Sequence, residues 1–335
     1  MRKVLLGLVL AACVVVIGGA AALAQEGQST VVVMGKAEQL LYGSERTGGL
    51  VERLNAVEKE LFGRELPGSI AERQTALLNF IEKGSSGQPS VLFKLGVAEW
   101  AVSRKIDVFS PVVKRVENLE IQLSGAPKVD KPVAMRLESL VNLLLTDGVT
   151  MQDAELPAAT VIKASLVRTL SPKNVKKGDL VDLILESDLA EGTNLVAPKG
   201  SRVLAAVTSV SKPRSFGRPG EVKISVEKLF PLGGEEVPLT VGDASKKAAE
   251  THSSELAAAG TSFVGAILLG PVGLAGGFLV RGDVKEIPAG AALFAQTADV
   301  ARVSSYPVPA GLQGMIQPAE VPVSGDVGAD SGKGK

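Results

Sequence analysis

The residues of this chain best placed for chemistry are carboxylates at short spacing. Asp179 and Asp182 precede Glu186 and Asp188 in one stretch, "GDLVDLILESD". Paired carboxylates divide acid and base work when their environments push their pKa values apart. Here, however, the stretch alternates, and the acids fall on the outward face and at the end of one strand. His252 is the sole histidine, set between Thr251 and Ser253 on what reads as a polar helix. One histidine does not build a typical metal site, and nothing beside it marks a general base. No G-x-S-x-G elbow, P-loop or dinucleotide fingerprint occurs. The expectation is a non-enzymatic chain with no catalytic residue, no metal and no cofactor.

The other recurring charges belong to a repeat. "EQLLYGSERTGGLVER" (Glu38 to Arg53) matches "EKELFGRELPGSIAER" (Glu58 to Arg73) at a period of 20. A third copy runs from Glu120 through Leu123 and Gly125 to Arg136, with one residue inserted. Such a period marks a short supersecondary unit used more than once. Its glutamates and arginines read as a solvated face with local ion pairs.

Helices must position these residues. Leu50, Leu54, Val57 and Leu61 form one helical stripe, as do Val112, Val116, Leu119 and Leu123, and again Val133, Leu137, Leu140 and Leu144. Gly43 and Gly63 stand where a helix ends in a left-handed residue. Ser69 with Glu72 is a capping box, and Ser110-Pro111 reads as a helix start. Narrow stripes of this kind suit helix–helix packing, within one chain or between chains.

From Leu156 the period changes to two. "EVKISVE" (Glu221 to Glu227) puts Val222, Ile224 and Val226 on one face. "TVIKASLV", "GDLVDLILES", "SRVLAAVTSV" and "EEVPLTV" are further strands between Gly-, Pro- and Asp-rich turns, which indicates a small sandwich or barrel. One turn recurs in "LPAATVIKASL", "APKGSRVLAAV" and "IPAGAALFAQT": proline sets an extended approach and a small residue permits a sharp bend.

These segments carry a resemblance. "LPAATVIKASL", then "SDLAEGTNLVAPKGSRVLAAV", then "VKISVEKLFPLGGEEVPL" resemble in order the C-terminal β-barrel domain of TrbI-type proteins, scaffold subunits of conjugation and type IV secretion machines. The matching positions are Thr160, Val161, Ile162 and Ala164, then Pro198 to Ser201, then Phe230-Pro231 and Gly233-Gly234. The resemblance covers about Leu156 to Val303 and leaves the N-terminal half unmatched. Ala159 departs from it, standing where the family has glycine. The family's proline-rich periplasmic segment and cytoplasmic region have no counterpart. What the resemblance implies is a ring of barrels, each sending a short apolar excursion between two strands into the outer membrane.

The run "LAAAGTSFVGAILLGPVGLAGGFLV" (Leu256 to Val280) lies at the corresponding place and carries no charge. As one helix it would be about 37 Å long, enough for a hydrocarbon core of about 30 Å. Pro271 divides it, and glycines weaken an isolated helix. Its candidate membrane or oligomer contacts are Gly260, Val264, Gly265, Leu268, Gly270, Pro271, Gly273 and Gly277, small residues letting backbones approach. Membrane contact, a buried glycine-rich hairpin and a loop are the three readings.

Address and composition bound the rest. Met1-Arg2-Lys3 followed by apolar Val4 to Ala24 has the form of an export signal, with Ala22-Leu23-Ala24 as its cleavage site after Ala24. An uncleaved anchor, or a lipoprotein acylated at Cys13, are the alternatives. All three export the body to the periplasm or the periplasmic face of a bacterial outer membrane. Cys13 is the only cysteine, so disulfides do not contribute. The 36 basic and 36 acidic residues balance, leaving no basic field for nucleic acid. Aromatics at 4% do not supply the girdles of a self-contained outer-membrane barrel.

The expected chain is α+β: signal peptide 1–24, linker 25–36, helical repeats 37–150, an all-β barrel or sandwich over 151–305 with its insertion at 256–280, and a polar disordered tail 306–335. The expected function is a cell-envelope scaffold, with ring formation as what the resemblance implies, whose partners are other proteins or its own copies. The alternative is a monomeric periplasmic module binding a glycan, peptide or peptidoglycan fragment.

Overall fold

The computed structural model describes residues 30–211, 221–252, 278–279 and 286–318. Helices come first and strands second, a mixed α+β chain whose β-region contains a closed six-stranded barrel. The chain forms two compact units: among the described residues, 30–81 with 110–139, and 82–109 with 140–318.

In the first unit, α1 (Thr30–Tyr42), α2 (Leu50–Phe62), α3 (Ile70–Leu78) and α5 (Val112–Ser124) carry the repeats, and α6 (Val133–Leu144) begins there. Leu54, Val57, Leu61, Val116, Leu119, Val133 and Leu137 are buried, so the apolar stripes face the core. Gly43 and Gly63 end α1 and α2 in the left-handed region, at φ 80° and 74°. The capping box is present: Glu72 N–H donates to the Ser69 hydroxyl, and Ser69 N–H donates back to the Glu72 carboxylate. α5 starts at Val112, with Pro111 as its extended N-cap. After α3 the chain widens into a π-helical turn, Asn79–Lys83.

The second unit holds α4 (Val91–Ser103) and the strands. α4 has no apolar stripe because most of its circumference is buried, from Val91 and Phe93 to Trp100. Gly96 is where it comes close to the β-region: a Cβ there would sit 2.7 Å from Leu232.

The strands are β1 (Gln152–Leu156), β2 (Val161–Leu166), β3 (Leu180–Leu185), β4 (Leu189–Glu191), β5 (Asn194–Ala197), β6 (Arg202–Ser211), β7 (Glu221–Leu229), β8 (Val237–Thr240), β9 (Phe278–Leu279), β10 (Ala292–Thr297) and β11 (Ala301–Pro307). β6-β3-β2-β10-β8-β7 pair in that order, antiparallel throughout, and β6 with β7 closes the barrel. Ile162, Ala164, Val181, Leu183, Val203, Ala205, Ile224 and Val226 are among the side chains in its core. A barrel of six strands is narrow enough for side chains to fill. Val222, Ile224 and Val226 are buried on one face of β7, as their alternation requires. β1-β11-β5-β4 form a second, smaller sheet. β11 runs through residue 305 to Pro307, and Ala310–Met315 adds a 3₁₀ turn, so regular structure continues into the region expected as a disordered tail.

Candidate functional site

The repeat carboxylates are not solvated, which corrects the reading of an open ion-pair face. Glu38 and Glu58 are 0% exposed and Glu120 is 1% exposed. Glu38 accepts Arg53 Nε (3.0 Å) and Nη2, together with the Arg46 backbone N–H at 2.9 Å. Glu58 takes Arg73 Nε (2.9 Å) and the Leu66 N–H (3.0 Å) in the same way, while Arg73 also reaches Asn55. Glu120 takes Arg136 Nη2 (2.7 Å) and the Lys128 N–H (2.9 Å). Each glutamate thus clamps the turn eight residues on and the arginine of the next helix. Burial pushes the Glu38 and Glu120 carboxyls up, but the arginine and amide donors outweigh it and hold both below the usual value.

A fourth copy escaped the sequence comparison. Glu99 accepts the Asp107 N–H at the same offset of eight, 3.2 Å away. Arg104 ends its helix at φ 57°, in the position of Gly43, Gly63 and Gly125, and Arg115 follows Glu99 by sixteen, as Arg136 follows Glu120. The signal was legible in spacing, but a non-glycine at the helix end hid it.

The strand carboxylates do not converge on one point. Asp179 accepts the Lys176 N–H in a turn (2.8 Å), Asp182 pairs with Arg202 (2.7 Å), and the Ser165 hydroxyl donates to Glu186. Asp188 is not outward: it is 3% exposed. Its carboxylate accepts Trp100 Nε1 (3.0 Å), Lys199 N–H (2.8 Å) and Gln317 N–H (2.9 Å). One side chain therefore ties α4, a barrel turn and the C-terminal segment together. His252 caps α7 (Asp243–Thr251), its Nδ1 2.9 Å from the Ala248 carbonyl oxygen.

The recurring turn is a structural device. Ala159, Gly200 and Gly290 all adopt positive φ, at 60°, 91° and 81°. Each donates its N–H to the end of a neighbouring strand, at Thr297, Leu185 and Leu166 respectively. Those strand-end residues return a bond from their own N–H to Thr160, Ser201 and Ala291. The turns thus lock the starts of β2, β6 and β10 to neighbouring strand ends.

The signal cleavage residue Ala24 and the contacts Gly260, Val264, Gly265, Leu268, Gly270, Pro271, Gly273 and Gly277 lie outside the described residues. The flanks of the apolar run are described. Before it, α7 packs Ala248 and Ala249 on Phe294, and the Ser245 N–H donates to Gln296 Oε1 (2.9 Å). Leu293 and Ala295 point into the barrel, so Phe294 between them lies on its outer wall. At its far end, β9 pairs with β7, Phe278 opposite Ile224 and Leu279 opposite Lys223. No described helix is long and apolar enough to cross a membrane, and no cluster of metal-ligating side chains occurs among the described residues.

No family model matches the chain, and no curated protein matches it. Among solved structures it is similar to ComB10 of the Com type IV secretion system of Helicobacter pylori, at 16% identity and a TM-score of 0.22. That likeness covers 46% of this chain and 92% of the other. The fold described above rests on the chain's own strand pairings.

Proposed function

We propose that this chain is a non-enzymatic scaffold of a bacterial cell envelope, with helical repeats that dock protein partners and a barrel that presents residues 256–280 to a membrane. The observation that carries this reading is the placement of the run's two flanks. α7 is seated on the outer wall of the barrel and β9 is paired along β7, while apolar side chains occupy the barrel core. An uncharged run held at both ends by a packed barrel has its support supplied by the barrel rather than by itself. The buried carboxylates support the same reading, since Glu38, Glu58, Glu120 and Asp188 all spend their oxygens on internal donors.

Deletion tests it. Replacing residues 256–277 with a Gly-Ser linker keeps α7 and β9 and only rejoins their ends. The expected outcome is a folded barrel that moves from the membrane fraction to the aqueous fraction. A wild-type protein already wholly aqueous, whose melting temperature drops on deletion, would instead assign the run to a buried hairpin.

A further inference from the structure

We infer, on the membrane reading above, that one end of the barrel carries a cationic collar that docks on the phosphates of an anionic lipid surface. This is the end where β2 and β6 finish and β3, β7 and β10 begin. Between β2 and β3, "VRTLSPKNVKKG" (Val167 to Gly178) holds Arg168, Lys173, Lys176 and Lys177 and no acid. All four are exposed, and among the described residues none of them takes part in an ion pair. The acids beside the loop are already engaged, Asp179 by the Lys176 backbone N–H and Asp182 by Arg202. Exposed Glu286, next to the Leu170–Ile287 bridge, offsets one charge of the four.

The loop is held in place. Leu170 and Val175 are buried in the barrel core. Ser171 N–H donates to Asn174 Oδ1 (2.7 Å), and the Asn174 amide donates to the Thr169 carbonyl (2.9 Å). Gly178 N–H reaches the Val207 carbonyl on β6 at 2.8 Å. The cations are therefore presented from a preorganised backbone, which lowers the ordering cost of binding. Val167 and Leu180 flank the loop, 42% and 57% exposed, and lie on the outer wall because Leu166 and Val181 point inward. Cations beside exposed aliphatic side chains suit a lipid interface, where charges meet phosphates and aliphatics reach the acyl boundary.

Position selects a membrane over other polyanions, because the uncharged run is tethered toward the same end. Val207, whose carbonyl takes Gly178, is the β6 partner of Ile224, and Ile224 pairs onward with Phe278 of β9. α7 is held at Gln296 by its first turn and is followed by His252 against Phe294, nearer the start of β10. A bilayer accepts both an uncharged run and a set of cations on one face.

Co-sedimentation of the full chain with lipid vesicles tests the collar. Vesicles of equal parts phosphatidylglycerol and phosphatidylcholine are expected to bind about a hundredfold more tightly than phosphatidylcholine alone, from the net three charges at about fivefold each. The preference should vanish at about 1 M salt, where the Debye length is about 3 Å. Lys173→Glu, Lys176→Glu and Lys177→Glu together should abolish it, with melting and phosphatidylcholine binding unchanged. Equal wild-type binding to the two vesicles overturns the collar and leaves the membrane reading standing, as does a preference that survives the triple variant. Preference for phosphatidylglycerol without any phosphatidylcholine binding supports the collar and counts against entry of residues 256–277 into lipid. Binding to neither vesicle overturns both. Poly-glutamate bound as tightly as the phosphatidylglycerol vesicles would assign the patch to an acidic protein instead.

Discussion

Arg53, Arg73 and Arg136 decide whether a buried carboxylate can exist at their site. Removing one partner of such a pair leaves an uncompensated charge, a loss of about 3–5 kcal/mol. Arg136→Ala is expected to lower the unfolding free energy of the helical unit by that amount, measured by urea titration of the helical circular dichroism. The pH dependence has a definite sign. Glu38 and Glu120 are held below 4.5 in the folded state, so their stabilisation is complete above that value. It is lost as pH falls through the depressed folded values. Melting temperature should therefore hold from neutral pH to about 5 and fall below it, and the fall should be shallower in Arg136→Ala. Ala159 sets a second residue-scale test, since its φ of 60° is one that glycine adopts freely and alanine only at a cost. Ala159→Gly is expected to stabilise the barrel by about 1 kcal/mol. Gly200→Ala should cost ~2 kcal/mol or more, because its Cβ would lie 2.2 Å from the Ile106 carbonyl oxygen. Chemical denaturation of both variants checks the pair.

The helices are assembled by two agents, apolar stripes and the glutamate clamps that fix each turn. Leu54 and Leu61 are both fully buried. Leu54→Asp places an unpaired charge among apolar neighbours and is expected to unfold the first unit at room temperature, with helical signal lost. Wild-type melting of that variant would show that the clamps alone hold the repeat. α4 obeys a different rule. It is fixed by Trp100 on Asp188, by the Ile106 N–H on Lys199 and by close contact at Gly96. β2, β6 and β10 are locked at their starts by the three turns, which makes strand register a property of the turns as well as of the core.

For the whole molecule, the open question is delivery and display. The apolar segment before Gln25 predicts export, and N-terminal sequencing of the exported protein is expected to begin at Gln25. Acylated Cys13 at the N-terminus would make it a lipoprotein instead. The scaffold reading then asks where the barrel stands relative to the membrane, which the deletion of residues 256–277 measures directly.

The sequence by itself determined the period of 20, the three stripes, the capping box at Ser69, the alternation of β7 and the three proline turns. All of these are local, because a helix or strand writes its buried face into residues only a few positions apart. The resemblance, rather than any local pattern, marked Ala159 as an exception, and its backbone is left-handed. Other features needed the tertiary structure. α4 left no stripe, because a helix buried on most sides has no polar face to contrast. The short strands β4 and β5 pass below the length at which alternation is readable. Burial of Glu38, Glu58 and Glu120 depended on arginines fifteen or sixteen residues away, and that of Asp188 on an indole 88 residues away. A charge pattern shows which groups are present, but only folding decides whether water or another part of the chain satisfies them.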